Sequence, residues 1–354
     1  MLRSMYSGIS GMKANQTKLD VIGNNIANVS TTAFKASSAR FTDMLYQNSS
    51  QATAPTTTKG GTNANQIGLG AQLASINKVM SQGNALSTGR SLDVCVDGEG
   101  YIIVASGDVS FSDENPINAD STLAGGENSI FYTRDGNFTL DKDGNLLTAN
   151  GLRVMGYVFQ DTQNEGVYSI GEDGVAYYVD PDAVDDDKKS TIEAVDGGKR
   201  LNTLRIPEKV MFPNDDGTFS EQPVASFSIG KDGMIIGILG NGSQTILGQI
   251  ATATFSNPEG LTDQGGNLAT VSANSGTAVI RTPKGALKEA AGDDDRIDNS
   301  GAYGDIIQGC LEASNVDLTE QFTDMITATR AFQASSKMIT TGDEILQTIT
   351  GLMR

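Results

Sequence analysis

The chain has 354 residues, a formal net charge of −18, 41 glycines, and neither histidine nor tryptophan. This length allows two or three domains with hydrophobic cores, and the negative charge argues against a nucleic-acid partner, because phosphate binding needs a basic surface. Without histidine, a Ser-His-Asp triad, a Cys-His pair and any metal site with a histidine ligand are excluded. We therefore expect no enzyme, no cofactor and no bound metal.

The first predicted element is an N-terminal helix with a narrow apolar stripe. Gly8, Gly11 and Gly23 lie inside it, and each costs about 1 kcal/mol relative to alanine, so the helix needs a partner. Its apolar residues recur mainly every seven positions, as in a coiled coil: Met5, Ile9, Met12, Leu19 and Ile26.

Residues 35–70 are predicted as a connector. From Gln47 to Gln66 nearly every residue is Ser, Thr, Ala, Asn, Gln or Gly, a composition that buries little apolar surface. The segment is an extended arm or a surface loop. Four glycines within the connector are predicted to act as hinges between domains: Gly60, Gly61, Gly68 and Gly70.

The middle of the chain is predicted to be β-rich. Residues 71–76 and 92–96 alternate between apolar and polar side chains, and residues 101–104 form a short buried run. Four Asp-Gly pairs, ending at Gly136, Gly144, Gly174 and Gly233, predict tight hairpins, because glycine adopts the positive φ that such turns require.

We divide this region into two mainly-β domains. The inner domain comprises residues 71–151 and 248–313, and the outer domain, residues 152–247, is inserted into it. The acidic segments 180–189 and 292–298 are predicted to be solvated loops.

The two cysteines give no redox motif. Cys95 and Cys310 lack CxxC spacing, and Cys95 sits in an apolar run, so it is most simply a small buried residue; a disulfide between the two is left open. No cleavable leader is recognised, and no apolar run approaches the roughly 20 residues of a membrane helix. By ordinary signals the protein stays in the cytosol, unless another export route applies.

The last predicted element is a long C-terminal helix. Asp317 and Glu320 form a capping box at its start. Its apolar residues again recur every seven positions, with Phe322 interleaved: Leu318, Phe322, Met325, Phe332, Ile339, Leu346 and Met353. Two weak helices at opposite chain ends predict an antiparallel terminal coiled coil from residues 1–34 and 314–354; the alternative is that both belong to one globular core. The predicted fold class is therefore mixed, a terminal α-helical coiled coil plus two mainly-β domains.

Two segments next to these helices resemble the terminal signatures of bacterial flagellar rod and hook proteins. The N-terminal segment is Leu19–Lys35, and the C-terminal one is Ser314–Glu320. Segments 81–84, 88–93, 132–138 and 252–261 resemble inner-domain motifs of the same family. The signature residues that we carry over are Asn24, Asn25, Asn28, Phe34, Lys35, Asn315 and Asp317.

The resemblance implies a structural subunit of a hollow helical tube, with the terminal coiled coil innermost. Its implied partners are further copies of itself, other flagellar axial proteins (of the rod, the hook cap and the hook–filament junction) and the flagellar type III export apparatus, with no nucleic acid and no membrane insertion. Export without a cleaved signal peptide to an extracellular hook is implied as well.

Within this family, the size of segment 152–247 favours a hook subunit, because it fits the extra outer domain of hook proteins. Such a subunit would act as a universal joint that transmits motor torque to the filament. The alternative is a distal rod subunit, whose extended arm the segment Gln47–Gln66 resembles.

Overall fold

A computed structural model describes residues 2–57, 59–106, 129–161, 169–170, 175–181, 192–194, 201–213, 219–281 and 304–352. Most of the acidic segment 180–189, all of segment 292–298, the Asp-Gly pair at 173–174 and Met353 lie outside the described residues.

A helix lies at each end of the described chain, and strands occupy the region between them. The helices are α1 (Leu2–Ala27) and α2 (Leu318–Leu352). The strands are β1 (Ser37–Asp43), β2 (Tyr46–Ser50), β3 (Asn65–Gly68), β4 (Ala71–Lys78), β5 (Ala85–Ser87), β6 (Val94–Asp97), β7 (Tyr101–Ser106), β8 (Ser129–Thr133), β9 (Phe138–Leu140), β10 (Leu146–Thr148), β11 (Arg153–Tyr157), β12 (Phe159–Asp161), β13 (Ile192–Ala194), β14 (Asn202–Thr203), β15 (Lys209–Pro213), β16 (Phe219–Ile229), β17 (Met234–Leu239), β18 (Gln244–Ile250), β19 (Thr252–Thr254), β20 (Thr262–Gly265), β21 (Leu268–Thr270), β22 (Val279–Ile280), β23 (Asp305–Gln308) and β24 (Cys310–Glu312). The predicted terminal helices and mainly-β middle are confirmed. Neither described helix combines the length and hydrophobicity that a membrane span requires.

The chain divides into two units. The first contains Met1–Ser81 and Ser314–Arg354, and the second contains Gln82–Ala313. In the first unit, β1 pairs with β4 and β2 pairs with β3, both antiparallel. The segment predicted as a connector thus contains three strands. Residues 71–81, predicted to begin the inner β domain, belong to the helical unit because β4 pairs with β1.

The second unit is built on one large sheet. Among the described residues, fourteen strands join it, and its longest path runs β15-β16-β17-β18-β11-β7-β8-β21-β20. Strand β7 has both faces buried: Ile102 and Val104 pack in one hydrophobic cluster, and Ile103 and Ala105 pack in the other. This two-sided burial explains why the sequence of β7 is a continuous apolar run instead of an alternating one.

The predicted division of this unit into an inner and an outer domain stays a prediction. Strand β11 pairs with β7 through Arg153 and Val154 and with β18 through Gly156 and Tyr157, so the sheet continues across the predicted boundary. The predicted second boundary, at Gly248, falls inside β18. A side chain at Gly248 would lie 2.7 Å from Leu204 Cδ2 and 3.1 Å from the Tyr157 carbonyl oxygen. Glycine at this position therefore permits close packing within a strand.

Two of the four predicted hairpins are present in the described residues. Gly144 has φ +82° between β9 and β10, and Gly233 has φ +83° between β16 and β17. Both strand pairs are antiparallel. The hairpin predicted at Gly136 is wrong, because β8 pairs with β7 and β21 whereas β9 pairs with β10. The Asp-Gly signal therefore identified the turns at Gly144 and Gly233 but not the connection at Gly136.

The C-terminal strands of the second unit are held by a buried ion pair. Strand β23 pairs with β6 and β24 pairs with β5. Arg134 Nε lies 2.9 Å from Glu312 Oε2, and the Glu312 side chain is 0% exposed. The backbone N–H of Gly83 donates to Glu312 Oε1 at 3.0 Å, and Arg134 Nη2 donates to the Gly98 carbonyl at 2.6 Å. Both charges are thus compensated within the unit.

Both cysteines are free thiols. Cys95 is completely buried in β6, as predicted. Desolvation, and after it the negative charge of Glu312, raises the pKa of the Cys95 thiol to about 11. This thiol is therefore protonated and unreactive at neutral pH.

Replacing Glu312 by Gln should lower the free energy of unfolding by about 3 kcal/mol, because the Arg134 guanidinium would remain buried without a counter-charge. Urea unfolding of the full chain measures the change. Glu221→Gln is the matched control: Glu221 pairs with Lys209 at 2.6 Å on the surface, where an ion pair contributes little. Equal decreases in the free energy of unfolding in the two variants would contradict a larger stabilising contribution from the buried ion pair.

Candidate assembly site at the paired terminal helices

Helix α2 begins with a capping interaction. The backbone N–H groups of Thr319 and Glu320 donate to Asp317 Oδ1 at 2.8 and 3.4 Å. These bonds satisfy amide groups that the first turn of a helix leaves without a partner. The position of Asp317 in the sequence predicted this start of the helix.

Helices α1 and α2 pack against each other in antiparallel orientation. A Cβ atom added at Gly342 would lie 3.1 Å from Met5 Cγ, near the start of α1. Near the other end, Asn25 Nδ2 donates to Gln321 Oε1 at 3.0 Å. As the chain advances along α1, its contacts therefore move backward along α2.

Glycines allow the two helices to approach closely. A Cβ atom at Gly8 would lie 3.3 Å from Ile339 Cγ1, and one at Gly11 would lie 3.2 Å from Ser335 Oγ. In contrast, a Cβ atom at Gly23 would have no neighbour within 4 Å. The helix-weakening glycines Gly8 and Gly11 thus have a packing role, whereas Gly23 has none in the single chain.

Most of the predicted apolar stripe lies at or beside this contact. Eight of the predicted residues are half-buried: Met5, Met12, Leu19, Ile26, Met325, Phe332, Ile339 and Leu346. Ile9, Leu318 and Phe322 are exposed in the single chain. Whether these side chains mediate assembly stays a prediction.

The intermediate positions of the α2 stripe differ from the predicted ones. The sequence predicts Phe322 in the stripe, but the residues at the contact lie one position earlier in each heptad. They are Gln321, Ala328, Ser335 and Gly342, which are buried or half-buried. These residues are polar or small, so apolar periodicity did not identify them. The seven-residue spacing of Ala328, Ser335 and Gly342 is the signal that could have done so.

Asn25 joins three segments of the first unit. It is only 1% exposed. Its Nδ2 donates to the Ser37 carbonyl at 2.8 Å as well as to Gln321, and its Oδ1 accepts from the Ser37 N–H at 3.0 Å. Both N–H donors and the carbonyl oxygen of this side chain are therefore used, and their bonds connect α1, α2 and the start of β1.

Asn315 fastens the segment before α2. Its Oδ1 accepts from the Ala36 N–H at 2.7 Å, and its Nδ2 donates to the Val79 and Ser81 carbonyls at 2.7 and 3.0 Å. Its own N–H donates to the Phe34 carbonyl at 3.4 Å. We call Asn25 and Asn315, together with all the groups to which their side chains form hydrogen bonds, the asparagine clasp.

The other signature residues act locally. Asn28 Nδ2 donates to the carbonyl and side-chain oxygens of Asn24 at 2.9 and 3.0 Å, at the end of α1. Lys35 Nζ donates to the Ser81 carbonyl at 2.9 Å, close to the clasp. The asparagines therefore tie backbone groups at the helix exit, in preference to the alternative of a frayed turn.

The predicted hinge glycines differ in their surroundings. A Cβ atom at Gly60 would meet nothing within 4 Å, whereas one at Gly61 would lie 2.8 Å from the Thr53 carbonyl oxygen, and Gly68 packs on the Tyr46 ring. Gly70 has φ +124° and packs on Ser10 of α1. A hinge role for these residues stays a prediction. Of the four glycines, Gly60 has the fewest neighbouring atoms that would restrict its backbone.

Three family profiles match separate parts of the chain. The flagella basal body rod protein profile matches residues 5–35, and the profile of the C-terminal region of flagellar basal body rod FlgEFG proteins matches residues 307–352. The profile of the flagellar hook protein FlgE/F/G D1 domain matches residues 122–237. The two terminal matches contain both residues of the asparagine clasp.

Relatives match over essentially the whole length. The flagellar basal-body rod protein FlgG of Bacillus subtilis is 38% identical over 354 aligned residues, which cover 100% of both chains. The flagellar hook protein FlgE of Borreliella burgdorferi is 29% identical, with 99% of this chain and 100% of the relative covered. A FlgG rod protein of Agrobacterium fabrum is also 29% identical, with 99% and 98% covered.

Paired terminal helices and a mainly-β middle, together with these matches, define a structural protein and not an enzyme. The chain belongs to the family of flagellar hook and basal-body rod proteins.

The close helix contact makes a direct prediction. Gly8→Leu should lower the thermal stability of the helix pair, because the new side chain collides with Ile339; overpacking of this kind costs roughly 1–3 kcal/mol. Circular dichroism at 222 nm during heating measures the effect. Gly23→Leu is the matched control, with the same gain in helix propensity and open space around it. If Gly23→Leu lowers the thermal stability of the helix pair as much as Gly8→Leu does, the packing role of Gly8 is contradicted.

Proposed function

We propose that the chain is the subunit of the flagellar hook, which polymerises into a hollow curved tube and transmits motor torque to the filament as a universal joint. The observation that carries this proposal is the size of the second unit. Segment 152–247 contributes β11, β14 to β17 and the start of β18 to one continuous sheet, and β12 and β13 form a separate pair, which together are a large addition to the terminal helices. The full-length match to hook proteins supports the same assignment.

The arrangement suits a subunit that must be held in place while its tube bends. The clasp and the glycine contacts fix the terminal helices to each other. The ribbon of β2 and β3 is exposed along its whole length. An isolated two-stranded ribbon is marginal in water, so we infer that the assembled tube stabilises it.

Location and partners follow from this proposal. The hook subunit would lie outside the cell and reach that place through the flagellar export apparatus, without a cleaved signal peptide. In the tube it would contact other copies of itself, and at the two ends of the hook it would contact rod and junction proteins, with a cap protein present during growth.

A distal rod subunit is the second candidate. The observation that favours it is the 38% identity, over the whole chain, to the Bacillus subtilis relative that carries a rod protein name. The exposed ribbon around segment Gln47–Gln66 also resembles the arm expected of such a subunit.

Deletion of the gene in its source bacterium, followed by rescue with the same chain, separates the two candidates. Electron microscopy of isolated basal structures is the measurement. For a hook subunit, we expect complete rods without hooks in the deletion strain and curved tubes after rescue. Rods that stop short of the outer envelope would reject the hook and assign the chain to the distal rod. The empty vector is the control.

A further inference from the structure

The contact between α1 and α2 repeats every seven residues, so packing alone does not select one alignment of the two helices. We propose that the Asn25–Gln321 hydrogen bond determines the register of the terminal helix pair. The inference concerns the folded single chain and is independent of whether the chain forms hook or rod.

Sliding α1 by one heptad toward the C-terminal end of α2 corresponds to about 10.5 Å, at 1.5 Å per residue. Gly342, which faces Met5 in the structure, would then face Met12. Gly8, which faces Ile339, would face Leu346. A methionine again meets the glycine of α2, and a branched apolar residue again meets the glycine of α1, so the close contacts survive the slide.

The slipped register would cover exposed apolar side chains at the end of α2 and uncover others, such as Met325, at its start. Helix α2 has 35 residues and α1 has 26, so the last turns of α2 extend beyond the start of α1. Ile349 is 39% exposed and Leu352 is 82% exposed there. After a one-heptad slide, Met5 would lie opposite Ile349. Because the slide exchanges apolar contacts at one end of α2 for contacts at the other, apolar burial does not by itself select the observed register.

Asn25 provides an interaction that selects the register, because its amide group is buried and fully bonded. In the slipped register Ala328 would replace Gln321 opposite Asn25, and its side chain has no acceptor for the second Nδ2 hydrogen. A buried donor without a partner is unfavourable, and a single polar residue at a coiled-coil contact is known to specify register. The Lys18–Asp324 ion pair also crosses the helices at 3.1 Å, but both side chains are partly exposed, so it contributes little.

Asn315 is the competing anchor. The hydrogen bonds of the Asn315 side chain fix the chain three residues before α2 begins. A slide of the helices must therefore either displace these hydrogen-bonded groups or unwind the first turns of α2. The two anchors make different predictions for single substitutions, so one experiment separates them.

The experiment uses engineered cysteines in the full-length chain, after Cys95→Ala and Cys310→Ser remove the natural thiols. Met5→Cys with Gly342→Cys reports the observed register, and Met5→Cys with Ile349→Cys reports the slipped one. Oxidation with copper phenanthroline, proteolysis and mass spectrometry give the yield of each cross-link. Four substitutions are compared in both backgrounds: Gln321→Leu, Asn25→Leu, Asn315→Ala, and Gln16→Leu as the control on the exposed face of α1.

We expect only the 5–342 cross-link in the parent and in Gln16→Leu. In Gln321→Leu, the 5–349 cross-link should rise from background to the larger share of product, and Asn25→Leu should give the same result. A slide seen in Asn315→Ala but not in Gln321→Leu would assign the register to Asn315 and overturn the proposal. An unchanged 5–342 cross-link in Gln321→Leu would overturn it as well. Loss of the helical signal at 222 nm in both Gln321→Leu and Asn25→Leu would also overturn it, because the bond would then support folding and not select a register.

Discussion

The close contact between the first and last helices is the constraint on which the helical unit depends. Two helices whose axes approach closely need residues without side chains at the points of contact, and Gly8, Gly11 and Gly342 meet this need. The same glycines lower the helix propensity of both segments. Each helix is therefore weak alone, and the packing between them supplies most of their stability. Because the helices lie at opposite ends of the chain, this unit is complete only when both ends are present.

Polar bonds give the contact its specificity. Hydrophobic stripes with a seven-residue repeat are stable in several alignments, whereas a buried amide is satisfied in few of them. Asn25 forms hydrogen bonds to both α2 and β1. Asn315 forms hydrogen bonds to Ala36, immediately before β1, and to Val79, immediately after β4. In the second unit, Arg134 and Glu312 have a comparable role, since they hold the last strands to the first ones. In both units, residues far apart in sequence are joined by hydrogen-bonded polar groups, of which Asn25, Arg134 and Glu312 are buried.

The sequence predicted the elements whose signals are local. Apolar residues at heptad spacing located both helices, Asp317 located the start of α2, and Asp-Gly pairs located turns at Gly144 and Gly233. It did not predict features that depend on distant partners. Gln321, Ala328 and Ser335 carry no apolar signal, yet α1 packs on them. The pairing of β4 with β1 moved residues 71–81 into the helical unit, and Gly248 lies within a strand because Leu204 and Tyr157 pack against it.

Electron cryomicroscopy of the tubes that this chain forms tests most directly whether the paired helices are the assembly region. At a resolution that separates helices, we expect the α1–α2 pairs of neighbouring copies to surround the central channel. The side chains exposed in the single chain, among them Phe322, Ile326 and Ile349, should then be covered by other copies. Strands of the second unit around the channel, with α1 and α2 on the outside and free of neighbouring copies, would contradict this account.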